Sequence, residues 1–184
     1  MNYKNKNKIT VISTIVAFMF VFNLNFALAS EITPENIIDQ VNKERVTRDL
    51  APLETNEQLE NAAYNKSIDM ITRNYFEHYA HGLTPWSFII AQGYDYTVAG
   101  ENLAMGFDSS EGVVNAWMNS PAHRANILNP EFEEIGVGVV KGEYTENNQK
   151  MYTTMTTELL ARPKPRVIQI FETIVETFSR IFNR

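Results

Sequence analysis

The side chains best suited to acid–base or metal chemistry are three histidines and one glutamate. The chain has three histidines in all, His78, His81 and His123. Each lies in a predicted loop or at a predicted helix start, where functional residues tend to collect, and imidazole transfers protons and binds metal ions near neutral pH. Glu101 follows an apolar stretch and a glycine, so its carboxylate can point into a cleft as a base or a metal ligand. The alternative for this glutamate is a solvated loop carboxylate.

The sequences around His123 and His78 predict different surroundings for the two imidazoles. Ser120 and Pro121 are typical of a helix N-cap and first helical residue, which places His123 at the third position of a helix. The positive end of a helix dipole favours neutral imidazole there, the form that binds metals or accepts a proton. A histidine that merely assists the cap is the alternative. His78 stands among aromatic residues that either orient its ring for chemistry or simply pack against it.

The remaining candidates are weaker or absent. His78 and His81 form a His-x-x-His pair that could share a metal, but zinc sites usually have three or four protein ligands. The sequence has no cysteine, which excludes disulfides, thiolate metal sites and thiol nucleophiles. No serine lies in a Gly-x-Ser-x-Gly motif, and no phosphate-binding glycine loop is present,.

Residues 1–29 are typical of a secretory signal peptide. Three lysines precede an apolar run, and a small-x-small site ends at Ala29,. The alternative is an uncleaved anchor, because the run approaches the length of a membrane span. Removal of the three lysines changes the formal net charge from −6 to −9. So acidic a domain is poorly suited to binding nucleic acid, and we expect a secreted or envelope-associated protein.

Helices are predicted in the first half of the remaining chain and strands in the second, which indicates an α+β fold. Capping residues and apolar periodicity predict helices over residues 34–49, 57–73, 85–92, from about 110, and 121–128. Residues 97–104 read as a short strand or an extended loop. Alternating apolar residues predict strands over residues 135–140 and 151–158, joined as an antiparallel hairpin by a polar loop over 142–149.

The C-terminal segment, residues 162–184, has a different character. Residues 162–166 are predicted to be a stiff basic linker. Beyond it, an apolar stripe over residues 167–182 either contacts a membrane surface or packs against its own domain or a partner. Charged residues interrupt the stripe, so it is poorly suited to spanning a bilayer,.

Four ordered segments resemble the CAP superfamily, also called SCP-like, which includes cysteine-rich secretory proteins, venom allergens and plant pathogenesis-related proteins. The likeness is to its bacterial branch without cysteines and covers residues 37–159. The segments include Tyr75-Phe76-Glu77-His78, Ala99-Gly100-Glu101-Asn102 and, most specifically, Ser120-Pro121-Ala122-His123-Arg124-Ala125-Asn126-Ile127-Leu128. The domain is therefore expected to occupy residues 30–161.

The resemblance implies a three-layer α-β-α sandwich with a small antiparallel sheet and an open cleft. In the family, two histidines and an acid face that cleft and can bind zinc or another divalent cation; by position these are His78, His123 and Glu101. His81 and Asn102 are expected to be further cleft residues or extra ligands. Many eukaryotic members have a second glutamate just after the tryptophan that Trp117 matches, but here Met118 follows.

Two functions follow from this reading. The resemblance favours a binding module whose cleft holds a lipid, a small molecule or a partner protein, with no catalysis. The alternative is a metal-assisted extracellular hydrolase of peptide or cell-wall material, in which His78 and His123 hold zinc and Glu101 activates water as the catalytic residue.

Overall fold

A computed structural model describes residues 31–165 together with residues 167, 170 and 175. The predicted signal peptide, with its cleavage site at Ala29, lies outside these residues. Five helices and four strands make up the described domain. In chain order they are α1 Pro34–Val46, β1 Glu54–Thr55, α2 Glu57–Arg73, α3 Pro85–Ala91, β2 Tyr96–Met105, α4 Ser110–Asn119, α5 Pro121–Ile127, β3 Glu134–Glu146 and β4 Gln149–Pro163.

The helices begin at the predicted capping residues. The Asn56 side chain accepts hydrogen bonds from two main-chain amides at the start of α2, and Thr84 forms a reciprocal capping box with Ser87 at the start of α3,. Helix α1 ends at Val46, three residues before its predicted end, and Asp49 has a positive φ of 59° that helical residues do not adopt,. The capping residues thus define where the helices begin.

The four strands form one sheet in the order β1-β3-β4-β2. Strands β3 and β4 pair antiparallel, as do β4 and β2, whereas the two-residue β1 is parallel to β3. The predicted polar loop over 142–149 is wrong, because β3 continues to Glu146 and β4 starts at Gln149. Only Asn147 and Asn148 turn the chain, with φ of 50° and 62°, and asparagine adopts this left-handed conformation more readily than most residues.

Helices cover both faces of the sheet, so the predicted three-layer sandwich is confirmed. Apolar residues of α2 and α3 pack with β4 on one face, and those of α1, α4 and α5 pack with β2, β3 and β4 on the other. Helix α2 lies unusually close to β3: a Cβ added at Gly136 or Gly138 would lie 2.1 Å or 2.3 Å from main-chain carbon atoms of α2. The alternating glycines therefore allow direct contact between helix and strand.

The C-terminal end of the sheet differs from the sequence-based boundary. Strand β4 runs to Pro163, so Arg162 and Pro163, which were assigned to the basic linker, pair with β2. Of the predicted apolar stripe, residues Val167, Ile170 and Val175 are described, and all three are exposed. No helix in the described part of the chain combines the length and the hydrophobicity needed to cross a bilayer.

Candidate functional site

The candidate site lies along β2, which is at one edge of the sheet. Residues that alternate along this strand face opposite layers: Leu103 packs with residues of α2, whereas Ala104 packs with those of α1 and α4. Because β2 has a neighbouring strand on only one side within the described residues, groups from both helical layers can approach its open edge. Side chains that are distant in sequence are thereby brought to one groove, here called the β2 groove.

A hydrogen bond between His78 and Glu101 forms one wall of the groove. Nδ1 of His78 lies 2.6 Å from Oε1 of Glu101. The Glu101 side chain is only 2% exposed, while that of His78 is 46% exposed. The second oxygen, Oε2 of Glu101, is buried and has no hydrogen-bond partner among the described residues. The bond fixes the imidazole and leaves its Nε2 available toward solvent or a ligand.

Burial and nearby cations act on Glu101 in opposite directions. Burial raises the pKa of this carboxyl, while the hydrogen bond from His78 and the positive charge of Lys66 lower it; burial has the larger effect,. The pKa of Glu101 is therefore above its ordinary value. A carboxyl in this condition can exchange protons closer to neutral pH than an exposed glutamate can.

Lys66 holds the main chain that carries His78, a role that the sequence motifs did not predict. The side chain is 1% exposed, and its ammonium donates hydrogen bonds to the main-chain oxygens of Glu77 and His78 at 2.9 Å and 3.1 Å. It also lies 4.8 Å from the centre of the Tyr75 ring, within range of a cation–π interaction. A signal was present in the sequence, because Lys66 occupies the apolar face of α2 that Ala62 and Met70 define.

His123 forms the other wall, at the start of α5. Its imidazole has a lowered pKa, first because it is partly buried and second because the positive charge of His78 acts on it. Burial and the charge of His78 both favour the neutral imidazole that the sequence predicts for His123. The predicted cap is weaker than expected, since the Ser120 side chain makes no capping hydrogen bond.

Two cavities of similar size follow each other along the β2 groove. The first, about 280 Å³, is mainly apolar; its lining residues are Phe76, Leu103, Ala104, Met105, Phe107, Ala116, Trp117, Ser120 and His123. The second, about 300 Å³, is more polar; its lining residues are His78, Tyr79, Pro85, Trp86, Ala99, Gly100, Glu101 and Asn126. An apolar compartment beside a small set of polar groups is typical of small-molecule binding sites.

The two further predicted cleft residues lie elsewhere. Asn102 is completely buried, and its amide donates to Oε2 of Glu158 at 2.6 Å and to the main-chain oxygen of His123 at 3.2 Å. It therefore attaches α5 to the sheet and does not line either cavity. His81 is exposed, has a φ of 52° and packs edge-on against Tyr75 with ring centres 5.2 Å apart.

The described residues contain no group of three or more His, Asp or Glu side chains placed to hold one metal ion. Glu101 already bonds to Nδ1 of His78, which is the arrangement in which a carboxylate orients a metal-binding imidazole rather than binding the metal itself. The candidate protein ligands for a cation are therefore two, His78 and His123, and any further ligands would have to come from a bound molecule or from water.

The sequence matches CAP, described as the cysteine-rich secretory protein family, over residues 38–156. The chain belongs to the CAP family. Bacillus subtilis YkwD, an uncharacterized protein, is 44% identical over 109 residues, which are 58% of this chain and 42% of YkwD. This CAP protein therefore spans less than half of that relative.

Two solved structures share the CAP fold. An extracellular protein with an SCP domain from Bacillus anthracis has a TM-score of 0.60 and 28% identity, over 70% of this chain and 40% of that one. An outer surface protein from Borrelia burgdorferi has a TM-score of 0.60 and 25% identity, over 74% of this chain and 99% of that one. The fold is therefore shared with these two bacterial structures.

Proposed function

We propose that this CAP protein is an extracytoplasmic binding module that holds a small amphipathic ligand in the β2 groove. The observation that carries the proposal is the His78–Glu101 pair, a half-exposed imidazole fixed by a buried carboxylate, in the more polar cavity that precedes the apolar one along β2. The ligand's apolar part would occupy the cavity that Trp117 and Phe107 line, and its polar part would meet the two imidazoles. The extracellular and outer-surface descriptions of its structural relatives support the location.

A divalent cation, such as zinc, is proposed as an accessory to this site. The donor set consists of the imidazoles of His78 and His123, and Glu101 orients the first of them. Such a cation would attract an anionic headgroup of the ligand. Two protein ligands are fewer than structural zinc sites use, so the cation and the ligand are expected to stabilise each other's binding.

Binding of an apolar anionic probe tests the groove directly. The full chain is titrated with anilinonaphthalene sulfonate, whose fluorescence increases in apolar surroundings. Ala116 lines the apolar cavity, so Ala116→Phe is expected to weaken binding by about tenfold or more through steric exclusion. Asn115→Phe is the control, because residue 115 is exposed on the same helix. Equal affinity in both variants, or no binding by the wild type, would contradict the proposal.

Hydrolysis is the second candidate, favoured by the raised pKa of Glu101 and by its buried, unpartnered oxygen. In this alternative Glu101 accepts a proton from water as the water oxygen attacks the carbonyl carbon of a peptide or cell-wall substrate. Glu101→Gln preserves the shape of the side chain but cannot accept this proton. Wild-type release of peptides from cell-wall fragments, abolished in a folded Glu101→Gln variant, would support hydrolysis; unchanged release would exclude Glu101 as the base.

A further inference from the structure

A second buried carboxyl lies in the centre of the sheet, outside the groove. Glu158 belongs to β4, is completely buried, and pairs in register with Asn102 of β2 and Val137 of β3. A carboxylate removed from water is destabilised unless other groups compensate for its lost hydration. The contacts of Glu158 therefore determine how readily each of its two protonation states forms.

The two carboxyl oxygens of Glu158 differ in their hydrogen bonds. Oε2 accepts a hydrogen bond of 2.6 Å from the Asn102 amide, whereas Oε1 has no partner among the described residues. The nearby guanidinium of Arg45 donates its hydrogen bonds to main-chain oxygens, those of Ala51, Ile127, Asn129 and Phe132. Burial therefore raises the pKa of Glu158 to about 8, although Asn102 and the charge of Arg45 oppose this shift.

A chain of amides connects Glu158 to both walls of the groove. The Asn102 amide nitrogen donates to Glu158 and also to the main-chain oxygen of His123 at 3.2 Å. The Asn102 amide oxygen accepts from Asn126 at 2.8 Å, and the same Asn126 nitrogen donates to the main-chain oxygen of Glu101 at 3.0 Å. The position of α5 relative to β2 thus depends on how these two amides are oriented.

We propose that Glu158 is a buried proton-binding residue whose protonation state sets the orientation of the Asn102 and Asn126 amides and thereby positions His123 relative to Glu101. The ionised carboxylate accepts from the Asn102 nitrogen, which lies 2.6 Å from Oε2. A proton taken from solvent onto Oε2 turns this atom into a donor, which needs the Asn102 oxygen in place of the nitrogen.

The reorientation then propagates along the amide chain. With Asn102 turned, its nitrogen faces the nitrogen of Asn126, and two donors cannot bond to each other. Asn126 must turn as well, and it then loses its hydrogen bond to the Glu101 main-chain oxygen. A proton on Oε1 offers no such compensation, because this atom has no acceptor near it among the described residues.

The side chains around Glu158 include few other groups whose own titration could produce the same change in the amides. From α1, Arg45 is the charged group that acts on it. From β2 it meets the neutral Asn102, and its register partner on β3 is the apolar Val137. Helix α5 reaches the same network through Asn126 and the main chain of His123.

NMR of the full chain tests the proposal without any ligand. The side-chain amide signals of Asn102 and Asn126 are followed from about pH 6 to about pH 9, where ordinary carboxyls no longer titrate. Both are expected to shift together with a midpoint near 8. Glu158→Gln, which cannot ionise, should abolish the shift, and the exposed control Glu143→Gln should retain it. Amide signals that do not move, or the same midpoint in Glu158→Gln, would overturn the proposal.

A measurement on the wild type tests the proposal even if the Glu158→Gln variant does not fold. With carbon-13 in the glutamate carboxyl groups, one glutamate is expected to titrate near pH 8, far above the ordinary range. If every glutamate carboxyl titrates below about pH 6, Glu158 is ionised throughout the neutral range and the proposal is wrong.

Discussion

At the scale of single residues, buried polar groups determine how the exposed ones are presented. Glu101 fixes the ring of His78, and Lys66 fixes the main chain that carries it. The roles assigned to His78, His123 and Glu101 from the sequence remain proposals that the geometry supports. Lys66 and Glu158 could not be recognised from the sequence with the same ease, because a charged residue on a helix or strand is ordinarily solvated. Only packing between distant elements buries them.

The charge of His78 should influence the titration of His123. The positive charge of His78 lowers the pKa of His123, in addition to the effect of burial. His78→Ala is therefore expected to raise the pKa of His123 measured by NMR, whereas His81→Ala should leave it unchanged because His81 packs against Tyr75. If the pKa of His123 is the same in wild type and His78→Ala, the two imidazoles do not face the same groove.

Glu158 should make stability depend on pH. Its pKa is raised to about 8 in the folded protein and is ordinary when unfolded, so between about pH 5 and about pH 8 the folded state binds more protons than the unfolded state. The free energy of unfolding contributed by this group therefore falls as pH rises through that range. Urea unfolding of wild type and Glu158→Gln should show a difference that changes over this range; a constant difference would contradict the expectation.

At the scale of elements, local sequence signals predicted where helices begin better than where helices and strands end. The capping residues Thr33, Asn56 and Thr84 accept hydrogen bonds from amides within a few residues, and a proline follows each threonine, so the local sequence specifies these helix starts. The β3–β4 hairpin was misjudged because its outer half is polar. Residues 142–146 pair with residues 149–153 across two asparagines, and exposed paired strands do not need apolar residues.

The contact between α2 and β3 predicts a sharp intolerance at Gly138. A methyl group there would lie 2.3 Å from the main chain of Ala63, which cannot move without shifting the whole helix. Gly138→Ala is expected to destabilise the domain by about 3 kcal/mol in urea unfolding. Gly142→Ala is the control, because its nearest neighbour is the Ile71 side chain, which can change rotamer. Equal losses in the two variants would show that main-chain contact is not the cause.

At the scale of the whole molecule, the order of elements indicated an α+β fold, but the sequence could not supply the strand order β1-β3-β4-β2. That order depends on pairing between strands far apart in the chain, and it is what leaves β2 at the edge. The groove exists because His78, from the loop after α2, and His123, from α5, approach the same open edge from opposite layers. The resemblance to CAP proteins carried this information, whereas composition and periodicity could not.

The C-terminal segment is proposed to contact a membrane surface. Val167, Ile170 and Val175 are exposed, and basic residues precede them, a combination that favours anionic lipid surfaces. Because β4 extends to Pro163, the informative truncation removes residues 166–184 rather than 162–184. The full chain should co-sediment with vesicles of phosphatidylglycerol and phosphatidylcholine, and the truncated chain should not. Equal co-sedimentation would instead favour packing against the domain or a partner.

Zinc binding by the full chain, measured by isothermal titration calorimetry, tests the two-walled β2 groove most directly. His78 and His123 are the two imidazoles that face it, whereas His81 packs on Tyr75 outside it. Wild type and His81→Ala are expected to bind one zinc ion per chain with equal affinity. His78→Ala and His123→Ala should each weaken binding by about tenfold or more, since each removes one of two protein ligands. Equal binding by all four proteins, or none by the wild type, would contradict a shared cation site.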